Sequence, residues 1–216
     1  MIEITKTEVV GWEHAIRGMR NPMNSWERSD SEQMGYYMIG NNDLNLMKRL
    51  AAKGSVHAKY RRMIVVYTDI LAPLYWWKQF DCYKIGTVAN SGSTMHKIHA
   101  KEFVRDDFSC ERLSERSRDV MDNIIYALNS NRKRFLETGD KDDWWQLIQL
   151  LPSSYNQLRT VMLNYEVLTN IYANRKNHKL DEWRDFCRWI EGLPLSELIT
   201  AGKPTKEETN TAGTDA

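Results

Sequence analysis

The polar residues that follow position 79 include the side chains best suited to bind a small anion. Gln79 and Lys84 come after an apolar segment, and the small-residue stretch Asn90-Ser91-Gly92-Ser93-Thr94 is followed by Lys97. Hydroxyl groups and free backbone N–H groups in such a stretch suit a phosphate. The stretch has neither the P-loop spacing nor a G-x-G-x-x-G sequence, so a solvated turn is the alternative interpretation.

A second group of polar residues lies between positions 164 and 178, where a helix is predicted. Residues spaced four, three and four apart share one helical face, which His178 extends. That face consists of Asn164, Leu168, Ile171, Arg175 and His178. A buried arginine needs an anionic or acceptor partner, so one interpretation is that Arg175 and His178 address a carbonyl or a phosphate. The alternative is that Arg175 pairs with Asp181 or Glu182 at the surface.

Metal binding and nucleophilic catalysis receive little support from the sequence. His96 and His99 lie three residues apart, but no cysteine or acidic cluster completes a set of three or four ligands. Cys82 and Ser93 have no base placed beside them by a motif. We therefore predict no metal site, and we interpret the two histidines as solvated.

Apolar spacing predicts the elements that position these residues. The predicted strands cover residues 1–10, 63–68 and 158–163. A first predicted helix is capped by Asn42 or Asp43 and ended by Gly54, and a second runs from Pro73 towards Lys84. Four further helices are predicted over residues 112–136, 142–150, 165–175 and 180–190. Gly139 ends the helix 112–136. Residues 11–40 read as turns with short helical pieces, and residues 86–94 as a loop.

Length and composition indicate one globular domain. The chain has 216 residues, 42% of them hydrophobic, and 30 basic residues stand against 29 acidic ones. This neutral balance argues against a protein that coats a nucleic acid polymer. We predict a single domain over residues 1–201. The segment 202–216 has no apolar residue larger than alanine, so we predict that it is disordered.

The cysteines and the lack of long apolar segments indicate the cellular compartment. The three cysteines, Cys82, Cys110 and Cys187, are odd in number and widely spaced, which is typical of reduced thiols. No signal peptide is apparent at the N-terminus, and no apolar stretch approaches the length of a membrane span. We therefore expect a cytoplasmic protein without a membrane partner.

The order of these features resembles the flavin-dependent thymidylate synthases, the ThyX family, from about residue 12 to residue 192. The N-terminal half of the resemblance comprises Ala15-Ile16-Arg17, the helix with Leu50, then Gly54 and His57, the segment Arg62-Met63 to Ala72-Pro73, and Gln79.

The family's Arg-His-Arg signature is present here only in part. Cys82-Tyr83-Lys84 occupies the place of Arg-His-Arg, and Thr87 stands for a serine. Asn90 and Ser93 match the signature after a one-residue insertion, while its glutamate and last arginine are missing. His96 or Lys97 is the candidate replacement for the lost cation.

The C-terminal part of the pattern matches without gaps. It comprises Leu151-Pro152, Thr160, Asn164, Asn170 and Arg175. The arginine that the family keeps just before Leu-Pro is absent, and Ile148 and Gln149 occupy that place.

The resemblance implies a mixed α/β fold with a small sheet and several long helices, in a homotetramer whose active sites are shared between subunits. It implies FAD as cofactor, a pyrimidine deoxynucleotide such as dUMP as substrate, and NADPH and methylenetetrahydrofolate as co-substrates for reductive methylation or a related alkylation. Arg175 would hold the pyrimidine ring as the catalytic residue. The substrate-binding set would also include Gln79, Asn90, Ser91, Ser93, Thr94 and Lys97. The flavin-binding set would be His57, Lys84, Asn164, Asn170 and His178.

Two other functions stay open because of the lost signature residues. One is a catalytically inactive protein that binds or senses a nucleotide on the same fold. The other is a structural oligomer without a ligand, which the eight tryptophans and ten tyrosines allow.

Overall fold

The computed structural model describes residues 1–34 and 36–201 and has a mixed α/β architecture, which confirms the predicted fold class. The strands, in chain order, are β1 (Glu3–Val10), β2 (Glu32–Met34), β3 (Tyr36–Met38), β4 (Val65–Pro73), β5 (Val88–Ser91) and β6 (Asn156–Asn164). A four-stranded sheet has the order β1-β4-β6-β5. The short strands β2 and β3 pair antiparallel, with Glu32 opposite Met38 and Gln33 opposite Tyr37.

Helices make up most of the remaining regular structure. They are α1 (Trp12–Arg20), α2 (Asn41–Ala52), α3 (Leu74–Phe80), α4 (Glu115–Thr138), α5 (Lys141–Leu150), α6 (Tyr165–Arg175), α7 (Asp181–Glu191) and α8 (Glu197–Thr200). Short 3-10 segments cover Asn21–Met23, Trp26–Arg28, Lys59–Met63 and Arg105–Asp107. The predicted helix 165–175 is confirmed at both ends, and Gly139 ends α4 in the left-handed conformation, at φ +68°.

The predicted start and end of α3 are wrong. Pro73 is the last residue of β4, with extended backbone angles of −67° and 149°, and the helix begins at Leu74. The N–H of Leu74 donates to the Tyr155 carbonyl at 3.0 Å, which supplies a partner for a first-turn donor. The helix stops at Phe80 and does not continue to Lys84.

The predicted loop 86–94 contains a strand, β5. Its pairing partner in the sheet is β6, which lies far away in the sequence. Beyond the end of β5, the N–H of Gly92 still donates to the Leu158 carbonyl at 2.8 Å. The small residues therefore do not form an isolated turn, because backbone pairing with a distant segment makes the first part of them extended.

The start of α2 also differs from the prediction that Asn42 or Asp43 caps it. Gly40 is the N-cap residue, and the carboxylate of Asp30 accepts hydrogen bonds from the backbone N–H groups of Asn42 and Asp43 at 2.9 and 3.1 Å. A Cβ atom at Gly40 would lie 2.2 Å from the Asp30 side chain. Glycine at this position therefore leaves room for a cap that comes from another segment.

The described residues form two compact units. The first unit comprises residues 1–5, 69–82 and 89–160, and the second comprises residues 6–68, 83–88 and 161 onwards. In the first unit, α4 and α5 pack together over a core of Ile98, Phe103, Phe108, Met121, Leu128 and Leu147. In the second unit, α6 contacts α7 and α8, and α1 contacts the 59–63 segment. The single domain over residues 1–201 stays a prediction, and the predicted disordered tail, 202–216, lies outside the described residues.

Gly11 directly precedes α1, in the second unit, at a position that has no room for a side chain. Its φ is +91°, and a Cβ atom there would lie 2.1 Å from the carbonyl oxygen of Met63. Any side chain at residue 11 would force the helix away from the 59–63 segment.

Candidate functional site

Arg175, the last residue of α6, is held by two aromatic side chains of the second unit. Its Nε donates to the hydroxyl of Tyr83 at 3.0 Å. Its guanidinium carbon lies 4.7 Å from the centre of the Trp183 ring and 5.7 Å from that of Tyr83. Trp183, on α7, is fully buried. A guanidinium stacked on aromatic rings has a restricted orientation, so little side-chain entropy is lost when such a group contacts a ligand.

His178 shares the Trp183 ring with Arg175, so the structure brings these two predicted site residues together. The imidazole lies 6.3 Å from the Trp183 ring centre, and its Nδ1 accepts a hydrogen bond from the Leu180 N–H at 3.2 Å. Burial, together with the nearby charges of Arg175, Arg184 and Lys179, lowers the pKa of His178. A neutral imidazole with its proton on Nε2 is the form that satisfies both observations.

The alternative interpretation of the sequence pairs Arg175 with Asp181 or Glu182 at the surface. Asp181, one of the two acids considered as its partner, forms an ion pair with Arg184. Arg184 also donates to the carbonyls of His178 and Lys179 at 2.8 and 3.2 Å. Asp181 is therefore engaged in fixing the turn between α6 and α7.

Asn164 has a structural role at the start of α6. Its Oδ1 accepts a hydrogen bond from the Val167 N–H at 3.0 Å, so it is the N-cap of the helix. Its Nδ2 lies against Gly86, where an added Cβ atom would be only 2.8 Å away. Gly86 has φ +77°, a conformation that favours glycine. The 83–88 segment therefore depends on glycine for its close approach to α6.

Three buried polar groups of the second unit have no hydrogen-bond partner among the described residues. They are the Nε and Nη2 of Arg61, the hydroxyl of Thr87 and the Oε2 of Glu166. Arg61 is 3% exposed, and its Nη1 lies 3.9 Å from the carboxylate of Glu166. Buried donors that lack a partner are costly, and an oxygen-rich ligand would satisfy them. Thr87 also occupies the place of a serine in the ThyX signature.

The stretch 90–97 of the first unit differs from the expected phosphate loop. Of the N–H groups predicted to be free in residues 90–94, that of Gly92 is already paired, and so are the N–H groups of Met95 and His96 just after them. The Ser93 Oγ accepts from the N–H groups of Met95 and His96 at 3.2 and 2.8 Å, and the Gly92 N–H is taken by Leu158. Because these donors are already paired, anion binding here would depend on side chains, chiefly the Ser93 hydroxyl proton and the exposed ammonium of Lys97.

An arginine that the sequence reasoning missed anchors this stretch to β6. Arg159 stacks 4.2 Å above the Trp77 ring, pairs with Asp81 at 2.8 Å and donates to Gln157 at 3.0 Å. Gln157 in turn donates to the Gly92 carbonyl at 2.6 Å. Gln157 and Arg159 lie two residues apart in β6, which places them on one face of the strand, but the predicted strand 158–163 began one residue too late to include Gln157.

The other predicted site residues differ in exposure. His57, in the turn after α2, and Lys84 are exposed, whereas Asn170 on α6 is half-buried. In the first unit, Gln79 on α3 and Thr94 are half-buried, and Asn90 and Ser91 are exposed at the end of β5.

Within residues 1–34 and 36–201, no group of three or more His, Cys, Asp or Glu side chains is placed to hold a metal ion. None of the helices in the described part of the chain combines the length and apolar composition needed to cross a membrane.

The architecture is the fold of the flavin-dependent thymidylate synthases, which confirms the resemblance at the level of fold. The crystal structure of ThyX from Helicobacter pylori with FAD and dUMP matches with a TM-score of 0.67 and 19% identity, over 93% of this chain and 97% of that one. A second structure of the Helicobacter pylori enzyme, complexed with FAD and dUMP, matches with a TM-score of 0.67 and 18% identity, over 92% and 97%. No protein-family model matches the sequence, and no curated protein was found to be similar to it.

Proposed function

We propose that the chain binds FAD and a pyrimidine deoxynucleotide such as dUMP, and catalyses reductive methylation or a related alkylation of the pyrimidine. The Arg175 cluster carries this proposal, because a guanidinium held by Tyr83 and Trp183 is suited to a flat ring with carbonyl oxygens. The shared fold with a protein crystallised with FAD and dUMP supports it. NADPH and methylenetetrahydrofolate are the proposed co-substrates, in a cytoplasmic homotetramer.

The residues of the second unit provide donors that fit such ligands. The unpaired donors of Arg61 and the Thr87 hydroxyl are buried groups that phosphate or carbonyl oxygens would satisfy. When bound, FAD would supply hydride transfer. The protein would contribute Arg175 to orient the pyrimidine and stabilise charge on its carbonyl, and His57, Lys84, Asn164, Asn170 and His178 to hold the flavin.

Phosphate recognition is the role proposed for the stretch 90–97. Ser93, Thr94 and Lys97 are the proposed phosphate ligands, and Gln79, Asn90 and Ser91 complete the proposed substrate-binding set. Arg159 and Gln157 fix the backbone of this stretch at Gly92. They are therefore positioning residues in this proposal.

Replacing Arg175 tests the proposal. We expect Arg175→Gln, and also Arg175→Lys, to lose most of the thermal stabilisation by dUMP, because a stacked guanidinium cannot be replaced by an amide or an ammonium. The loss of such a charged contact costs about 2–5 kcal/mol of binding. Arg188→Gln is the matched control, since Arg188 is an exposed arginine on α7 that pairs with Asp185.

Three measurements distinguish the outcomes of this experiment. They are flavin absorbance of the purified protein, the dUMP-induced shift in Tm, and NADPH oxidation in the presence of dUMP. Equal dUMP responses in the Arg175 and Arg188 variants would remove Arg175 from the site. A wild-type protein that neither carries FAD nor gains stability from it would refute the flavin part.

A nucleotide-binding protein without catalysis is the second candidate. The observation in its favour is that Tyr83 replaces the signature histidine and that its hydroxyl binds the Nε of Arg175. The arginine is thereby committed in part to an intramolecular bond. This candidate predicts stabilisation by a nucleotide alone and no NADPH oxidation, so turnover of dUMP would exclude it.

A further inference from the structure

The second unit has a cavity of about 910 Å³ between the end of α1, the 21–28 segment and the outer face of α2. It includes none of the residues assigned above to the flavin or the nucleotide. Basic and amide side chains dominate its polar lining, and no acidic residue lines it in the part of the chain that the structure describes. The residues that matter here are Arg28, Asn42, Asn45, Arg49 and Lys53.

The α2 wall of the cavity is one helical stripe. Asn42, Asn45, Arg49 and Lys53 follow one another at spacings of three and four residues, which places them on the same side of the helix. The opposite side of α2 is fixed in the core, where Met47 is fully buried. The stripe therefore has a set orientation and carries two cations and two amides towards the cavity.

The other wall is held in place by a buried ion pair. Arg20 and Asp43 are 4% and 0% exposed, and the Arg20 Nε donates to the Asp43 carboxylate at 2.6 Å. The remaining nitrogens of Arg20 donate to the backbone carbonyls of Ser25 and Arg28 at 3.1 and 3.0 Å. This arginine thus fixes the 21–28 segment, including the backbone from which the Arg28 side chain extends.

Three cations remain available to a ligand once Arg20 is neutralised by Asp43. Arg28 lies 3.5 Å from Glu27, but both side chains are largely exposed, so this pair is weak. Arg49 and Lys53 lie one helical turn apart and are both exposed. Like charges at this spacing repel each other, and a bound anion would relieve that repulsion.

We propose that this cavity is a second ligand site, for a small molecule that carries two or more linked phosphate groups. Guanidinium groups bind phosphate oxygens through paired hydrogen bonds, and the amides of Asn42 and Asn45 add uncharged donors. The volume is in the range of small-molecule sites. The near-neutral net charge of the chain favours a small anion over a nucleic acid polymer.

Calorimetric titration of the full chain with inorganic tripolyphosphate at physiological ionic strength tests the proposal. We expect binding by the wild-type protein, and at least about tenfold weaker binding by Arg49→Gln/Lys53→Gln, since two charge-assisted contacts are lost. The control is Lys48→Gln/Lys59→Gln, which removes the same charge from two exposed residues outside the cavity. The control should bind within about twofold of the wild type, because at this ionic strength the charges of exposed residues outside the cavity are largely screened.

A further variant and a competing anion complete the experiment. Asn45→Asp places a negative charge on the same wall and should also weaken binding, so it replaces the double variant if that fails to fold. Sodium sulfate at equal ionic strength should not compete as tripolyphosphate does. No binding by the wild type, or the same affinity in the cavity variants and the control, would overturn the proposal, and FAD binding plays no part in either result.

Discussion

Replacing Gly86 with alanine should destabilise the protein more than the same change at Gly54 or Gly139, two other glycines with positive φ. Gly86 has φ +77°, and an alanine in the left-handed region costs about 1–2 kcal/mol. The new Cβ would also lie 2.8 Å from the Asn164 Nδ2 and 3.2 Å from Val167. If Asn164 moves away, the cap of α6 is lost as well, for about 1 kcal/mol. We therefore expect a total loss of about 2–3 kcal/mol.

Gly54→Ala and Gly139→Ala are matched controls for this change. Both glycines have positive φ, of +86° and +68°, and no atom lies within 4 Å of an added Cβ. They should cost only the backbone strain. The free energy of unfolding, measured by urea titration, gives the difference, and a double-mutant cycle with Asn164→Ala gives its origin.

The double-mutant cycle of Gly86→Ala and Asn164→Ala also gives the result that would refute this reasoning. With Asn164 already truncated, Gly86→Ala should exceed the two controls only by the cost of the 3.2 Å contact with Val167. If Gly86→Ala costs the same as Gly139→Ala in the wild-type background, the contact with Asn164 has no energetic weight. The reasoning that ties the 83–88 segment to α6 would then be wrong.

Further predictions concern a buried acid, a histidine and two thiols. Asp43→Asn should lower the free energy of unfolding in urea by about 3–5 kcal/mol, because it leaves the buried Arg20 unpaired. Asp122→Asn removes a partner from an exposed ion pair and should cost at most about 1 kcal/mol. Similar losses in the two variants would contradict the structural role of the buried pair. The lowered pKa of His178 means that its contribution to stability is complete above its ordinary pKa of 6.5 and is lost as the pH falls through the lower folded value. His178→Gln should therefore flatten the decline in unfolding free energy below pH 6.5, and an unchanged slope would count against this. Burial raises the pKa of Cys187 to about 11. A thiol reagent should therefore label the exposed Cys82 first and reach Cys187 only when the protein unfolds. Equal labelling rates of the two cysteines in the native protein would disprove this prediction.

Local patterns were enough to predict the elements that depend on local contacts. The helix 165–175 could be predicted because its apolar spacing and its Asn164 cap lie within a few residues of each other. The end of α4 at Gly139 was predictable for the same reason, since the left-handed residue directly follows the helix.

Contacts between distant segments explain what could not be predicted. The bond from Arg175 to Tyr83 joins residues 92 positions apart, so no local pattern shows it. Asp30 caps α2 from a neighbouring segment, and β5 becomes extended because it pairs with β6. Ser93 was predicted as a phosphate ligand from its residue type, but its oxygen also accepts two backbone hydrogen bonds within its own turn. The type of a residue indicates which bonds are possible, and the fold decides which of them are formed.

A thermal unfolding series with FAD, dUMP and both together tests the central claim most directly. A ligand at 100 times its Kd stabilises the folded state by about 2.7 kcal/mol, which corresponds to a rise in Tm of roughly 5–10 °C for a chain of this size. We expect FAD to raise Tm, and dUMP to raise it further when FAD is present. An unchanged Tm in all three mixtures, at saturating concentrations, would show that this chain has kept the fold without binding either ligand.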